Sequence, residues 1–89
     1  MAQLSLLIVN EKGLHARASA KFVEVVESFD ATAQVHKDGM TVSGDSIMGL
    51  LMLAASRGTR IDVVTQGPKA QELAAALAAL VANKFGEDF

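Results

Sequence analysis

A mostly apolar, β-prone run at residues 4–9, Leu4-Ser5-Leu6-Leu7-Ile8-Val9, predicts a strand buried on at least one face. Asn10-Glu11-Lys12-Gly13 then reads as a turn, and beyond it the period changes. Ala18, Phe22, Val25, Val26 and Phe29 recur at helical spacing, while Lys21, Glu24 and Glu27 take the opposite side. This predicts an amphipathic helix of about three turns.

Two further runs, 31–37 and 40–43, flank Asp38-Gly39, a strong two-residue hairpin signal. That turn sets Val35 opposite Val42, His36 opposite Thr41 and Gln34 opposite Ser43, so register and apolar pattern agree. Asp45-Ser46 can cap a short helix running to about Ala54 and stopping near Gly58. Residues 60–66 alternate Ile61, Val63 and Thr65 against Asp62 and Val64, which predicts the last strand. Gly67-Pro68 breaks it and starts a final helix with Ala70, Leu73, Leu77, Leu80 and Val81 as its apolar stripe. Residues 86–89 are expected to fray. The order β-α-β-β-α-β-α predicts one α+β domain over residues 1–89, an open-faced sandwich with a four-stranded antiparallel sheet and three helices on one side.

Composition narrows the function classes. The chain has no Trp or Tyr, which removes an aromatic platform for single-stranded nucleic acid. Its net charge is −2 and its eight basic residues form no stripe to neutralise phosphates along a nucleic acid. Cysteine is absent, which excludes disulfides and thiolate metal sites and fits a reducing compartment. No basic segment precedes the short apolar run at residues 6–9, so no signal peptide is expected. The longest uncharged apolar stretches, 47–56 and 73–83, fall far short of the roughly 20 residues that span a bilayer. A cytoplasmic protein without membrane insertion, cofactor or nucleic-acid partner is the expectation.

Two places carry candidate chemistry, and both open a helix. In Gly13-Leu14-His15-Ala16-Arg17-Ala18 a histidine stands at the expected N-cap and an arginine follows two residues later. Helix N-termini present unpaired N–H groups and a positive dipole end, here from Ala16, Arg17 and Ala18, and these favour a phosphate. Arg17 adds a planar, permanently charged donor. A histidine that accepts a phosphoryl group needs such a setting, although a lone histidine at a helix start is more often a plain cap or surface residue. Ser46 is the second place, and capping alone would justify a serine there. His36 falls on the polar face of the hairpin, and His15 with His36 lacks further ligands for a metal site.

Gly13-Leu14-His15-Ala16-Arg17, followed by Ser46-Ile47-Met48-Gly49, resembles the histidine-containing phosphocarrier family, HPr, of the bacterial phosphoenolpyruvate-dependent phosphotransferase system. The resemblance covers nearly the whole chain, including the element order and the Asp-Gly hairpin. It implies that His15 is phosphorylated at Nδ1 by enzyme I, that Arg17 contacts the phosphoryl group, and that an EIIA-type domain receives it. It also implies phosphorylation of Ser46 by a kinase/phosphorylase in some bacterial groups, and a monomer. Periodicity in the short helix leaves two apolar stripes, Leu50, Leu53 and Ala54 against Ile47, Met48, Leu51 and Met52. The resemblance makes Ile47, Met48 and Leu51 the docking ridge for enzyme I and EIIA domains. Many members carry proline after the arginine, where this chain has Ala18 and one more backbone donor. The stretches 15–20 and 52–56 resemble the alphaproteobacterial branch, where the system often has a regulatory, nitrogen-related role.

The leading expectation is therefore a phosphocarrier with no turnover of its own. The rival is a purely regulatory binding module acting through Ser46, which would not need His15 and Arg17. A small hydrolase or transferase lacks a nucleophile–base–orienter set.

Overall fold

The computed structural model describes residues Met1–Phe89. Its elements are β1 (Ala2–Leu7), α1 (Ala16–Glu27), β2 (Thr32–Lys37), β3 (Met40–Ser43), α2 (Ile47–Met52), β4 (Arg60–Gln66) and α3 (Ala70–Ala82). The sheet order is β1-β4-β2-β3, and every pairing is antiparallel.

Register explains why one face of the sheet is dry. Leu6 pairs Ile61, Leu4 pairs Val63, Val63 also faces Val35, and Val35 faces Val42. Because side chains alternate, all of these point to the same side, and that side meets the helices. Gln34, His36 and Asp62 share the open face, where His36 Nδ1 and the Thr41 hydroxyl share a hydrogen bond of 2.8 Å. The expected hairpin register is the observed one. Its turn residues Asp38 and Gly39 both have positive φ (50° and 82°), as a turn matching the twist of the strands requires.

The core joins Leu6, Ile8, Ile61, Val63 and Val35 of the sheet side to Phe22, Val26, Leu50, Leu73, Leu77 and Phe85. At one end, the Thr65 hydroxyl is buried and donates to the Ala70 carbonyl at 2.8 Å, tying β4 to α3.

Several boundaries differ from the sequence expectation for physical reasons. β1 starts at Ala2 and ends at Leu7, because its partner β4 begins at Arg60, opposite Leu7. Ile8 still bonds across to residues 58 and 59, at 2.8 and 2.9 Å. α1 buries Ala18, Ser19, Phe22, Val23 and Val26, with Val25 and Phe29 only partly covered. The helix is thus rolled toward Ser19 and Val23, and the Ser19 hydroxyl is satisfied by the Leu14 carbonyl at 3.3 Å. α2 ends at Met52, and Ala54 takes a left-handed φ of 50°.

The largest departure is the tail. It is docked, not frayed: after α3, residues 84–86 form a 3-10 turn with φ near +55° to +79°, and this drives Phe85 fully into the core. The Lys21 ammonium donates to the Phe85 carbonyl at 2.7 Å, and the Glu11 N–H donates to the Phe89 carbonyl at 3.0 Å. A fully buried phenylalanine outweighs the cost of two non-glycine residues with positive φ. Phe85→Ala is accordingly expected to lower unfolding free energy by about 3–5 kcal/mol in urea titrations. A frayed tail would give nearly no change.

Candidate functional site

Gly13 sets the position of the histidine. Its φ is +67°, and a Cβ there would lie 2.5 Å from the Ala55 carbonyl oxygen and 2.9 Å from Ser56 Cα. Only glycine fits that approach. The same Ala55 carbonyl accepts the Leu14 N–H at 2.9 Å, and the Leu14 side chain is buried. The turn is thereby pinned on both sides of the peptide that leads into His15.

His15 occupies the N-cap of α1 with extended backbone (φ −78°, ψ −177°), and its carbonyl accepts the Ser19 N–H at 2.8 Å. Its ring makes no capping bond and turns instead toward an open groove lined by Glu11, Lys12, Arg17, Lys21 and residues 86–89. The amides of Ala16, Arg17 and Ala18 have no backbone acceptor, as the first turn of a helix dictates. Ala16 and Arg17 are exposed, and Arg17 forms no ion pair. Ala18 is fully buried, so the extra donor expected at this position is closed to solvent in this conformation. The exposed residues with unpaired amides in this turn are Ala16 and Arg17.

Nε2 of His15 is hydrogen-bonded to Oε2 of Glu87. The other carboxylate oxygen, Oε1, accepts from Asn10 Nδ2 at 3.0 Å, and that amide also donates to the Gly13 carbonyl at 2.8 Å. An ionised carboxylate can only accept, so in the neutral ring Nε2 carries the proton and Nδ1, which has no protein partner, the lone pair. Burial pushes the Glu87 carboxyl up. The Asn10 amide, the His15 ring and the nearby Lys12 charge outweigh it, and the net direction is below the ordinary 4.5.

Ser46 caps α2, its hydroxyl accepting the Gly49 N–H at 3.0 Å. Of the apolar residues on α2, Leu50 is buried, and so is Leu53 just past its end. Met48 is 70% exposed, Met52 64% and Ile47 40%, whereas Leu51 is half-buried. The exposed group therefore includes Met52. The Leu14–Ala55 bond places the His15 turn directly against the exit of α2, so the ring and this apolar group lie on adjoining elements. His36 lies on the open face of the sheet.

Sequence reasoning missed Asn10, Lys12, Lys21 and Glu87 as parts of the site. The one signal available was Phe85, an apolar residue beyond the last periodic position of α3 that needed a place in the core.

The fold and site together give a small α+β sandwich with one ring nitrogen left open at a helix N-terminus, in a shallow groove. The family is shown by comparison. Residues 2–83 match the family model described as the PTS HPr component phosphorylation site. The chain is 45% identical over 87 residues to phosphocarrier protein HPr of Cupriavidus necator, covering 98% of each. It shows the same identity and coverage with HPr of Neisseria meningitidis serogroup A. Among solved structures, HPr-C-His from Thermoanaerobacter tengcongensis superposes with a TM-score of 0.94 at 36% identity, covering 100% of both chains. The chain belongs to the HPr family of phosphocarrier proteins. The relatives found first are beta- and gammaproteobacterial, so the likeness supports the family and does not support the alphaproteobacterial branch.

Because the folded Glu87 carboxyl is held below its ordinary value, its contact adds stability that is complete above that value and lost as pH falls through the folded one. The Glu87 contact should be complete at neutral pH and lost only below 4.5, while the buried Phe85 keeps the tail docked. Carbon-13 NMR of the Glu87 carboxyl is expected to titrate with a midpoint below 4.5, with the His15 ring signals moving in the same step. A midpoint above that value would contradict the contact.

Proposed function

We propose that His15 is the phosphoryl acceptor and donor of this carrier. Its Nδ1 lone pair attacks the phosphorus of a phosphohistidine on enzyme I and forms the new N–P bond. The old N–P bond breaks with its electron pair returning to the enzyme I ring. The reverse chemistry then delivers the group to an EIIA-type acceptor. The observation that carries this reading is the open Nδ1 at the N-terminus of α1, next to the free amides of Ala16 and Arg17. Those amides and the Arg17 guanidinium supply positive field and donors for the three phosphoryl oxygens. Phosphoryl transfer needs mostly positioning and charge stabilisation, so a shallow site suffices once a partner closes over it.

Ile47, Met48 and Leu51, joined by Met52, form the docking surface. Exposed apolar groups of this size on a small domain call for a partner. Flexible methionines let one surface fit both a donor and several acceptors. The ring, the helix terminus and the ridge all come from one chain, and the carrier works as a monomer in the cytoplasm.

Ser46 is proposed as a regulatory phosphorylation site for a kinase/phosphorylase. Its cap contributes about 1 kcal/mol, which by itself accounts for a serine. A phosphate there would add nearly two negative charges beside Ile47 and Met48 and oppose docking.

The test is incubation with phosphoenolpyruvate and enzyme I, followed by intact mass measurement. One acid-labile phosphate is expected, absent in His15→Ala and retained in Ser46→Ala. With active enzyme I, an unlabelled wild-type chain contradicts the carrier role of His15 and favours a regulatory module centred on Ser46.

A further inference from the structure

We propose that Glu87 is a positioning residue for phosphoryl transfer at His15, forming with Asn10 a relay that fixes the ring and offsets the charge that develops on it. The inference rests on the reading of His15 as the phosphoryl acceptor. Three observations carry it.

First, the contact is built. Glu87 reaches back across the fold to Nε2 of His15, with its side chain only 19% exposed and the His15 side chain 27%. Its second oxygen is held by Asn10, which is itself fully buried and braced on the Gly13 carbonyl. A surface ion pair held by one contact loses side-chain entropy and contributes little. A carboxylate held from both sides has already lost that freedom.

Second, the segment that brings Glu87 there is anchored independently. Phe85 is buried, Lys21 donates to its carbonyl, and the Glu11 N–H donates to the Phe89 carbonyl. The carboxylate is delivered by packing on either side, so its place does not depend on the contact with His15.

Third, the chemistry asks for a base-side partner at Nε2 and nowhere else. When Nδ1 forms its bond to phosphorus, the ring still holds the proton on Nε2 and becomes a cation. The Glu87 carboxylate lies against that proton, so the positive charge forms beside a fixed negative one. The carboxylate also selects the tautomer in which Nδ1 is the nucleophile, because the alternative would set a lone pair against an anion. Arg17, Ala16 and the helix dipole act on the phosphoryl oxygens, while Glu87 and Asn10 act on the opposite nitrogen. Glu87 touches neither phosphorus nor oxygen, and its effect passes through the ring.

Two variants separate its two roles. Glu87→Gln keeps an oxygen that can accept from Nε2–H but removes the charge. Glu87→Ala removes both. Nitrogen-15 NMR of the free His15 ring at pH above 8 is expected to show the Nε2-protonated tautomer in the wild type and Glu87→Gln, and a mixture in Glu87→Ala. Single-turnover transfer from phosphorylated enzyme I should slow roughly tenfold in Glu87→Ala and less in Glu87→Gln, below the loss for a buried oxyanion donor because the pair is partly exposed. Half-saturation for enzyme I should stay unchanged in both, since Glu87 is remote in role from the apolar ridge. Unchanged tautomer and unchanged rate in Glu87→Ala would overturn the proposal. Slowing that appears only as weaker half-saturation would also overturn it, by making the tail part of the docking surface. If the wild type accepts no phosphate, the acceptor reading fails, whereas the tautomer measurement still reports on the Glu87 contact.

Discussion

The site depends on one close approach of backbone to backbone, where the turn before α1 presses on the segment after α2. Gly13 has no room for a Cβ against Ala55 and Ser56, and the Ala55 carbonyl takes the Leu14 N–H. That contact fixes where α1 begins. It leaves His15 at the cap with its ring free of capping duty, and it sets the turn that carries the ring against the exit of α2. The sheet and the helices supply the rigid frame, and this contact turns the frame into a site.

Much of the frame was legible in the sequence because local pattern and tertiary packing agree there. Asp38-Gly39 admits a turn with two positive φ values, and the alternation in β2 and β3 is compatible with one register only, the one observed. The helix start at His15 was legible from Gly13 and the change of period. The branch of α2 that faces the core could not be read from periodicity, since a helix of six residues carries apolar side chains all round. Burial of Leu50 with exposure of Met48 and Met52 decides it.

The tail was misread for an instructive reason. A glycine, two acids and a terminal phenylalanine have no periodicity, and composition alone favours fraying. Order there comes from a single long-range event, the insertion of Phe85, which requires left-handed backbone at Lys84 and Phe85 that no propensity scale would assign. Glu87 and Asn10 lie 77 residues apart and meet only after that insertion. Pairwise contacts of that separation leave no trace in a single chain's pattern. The groove beside His15 therefore mixes cations from the first half of the chain with acids from its end, a balance that neither segment shows alone.

The account makes the two ring nitrogens of His15 unequal, one held by Glu87 and one open beside the amides of α1. Long-range proton–nitrogen correlation on the phosphorylated, nitrogen-15-labelled protein tests this most directly. One-bond phosphorus coupling on Nδ1, with a proton retained on Nε2, is the predicted result. Coupling on Nε2 would contradict the account, because it would put the phosphoryl group where Glu87 is said to sit.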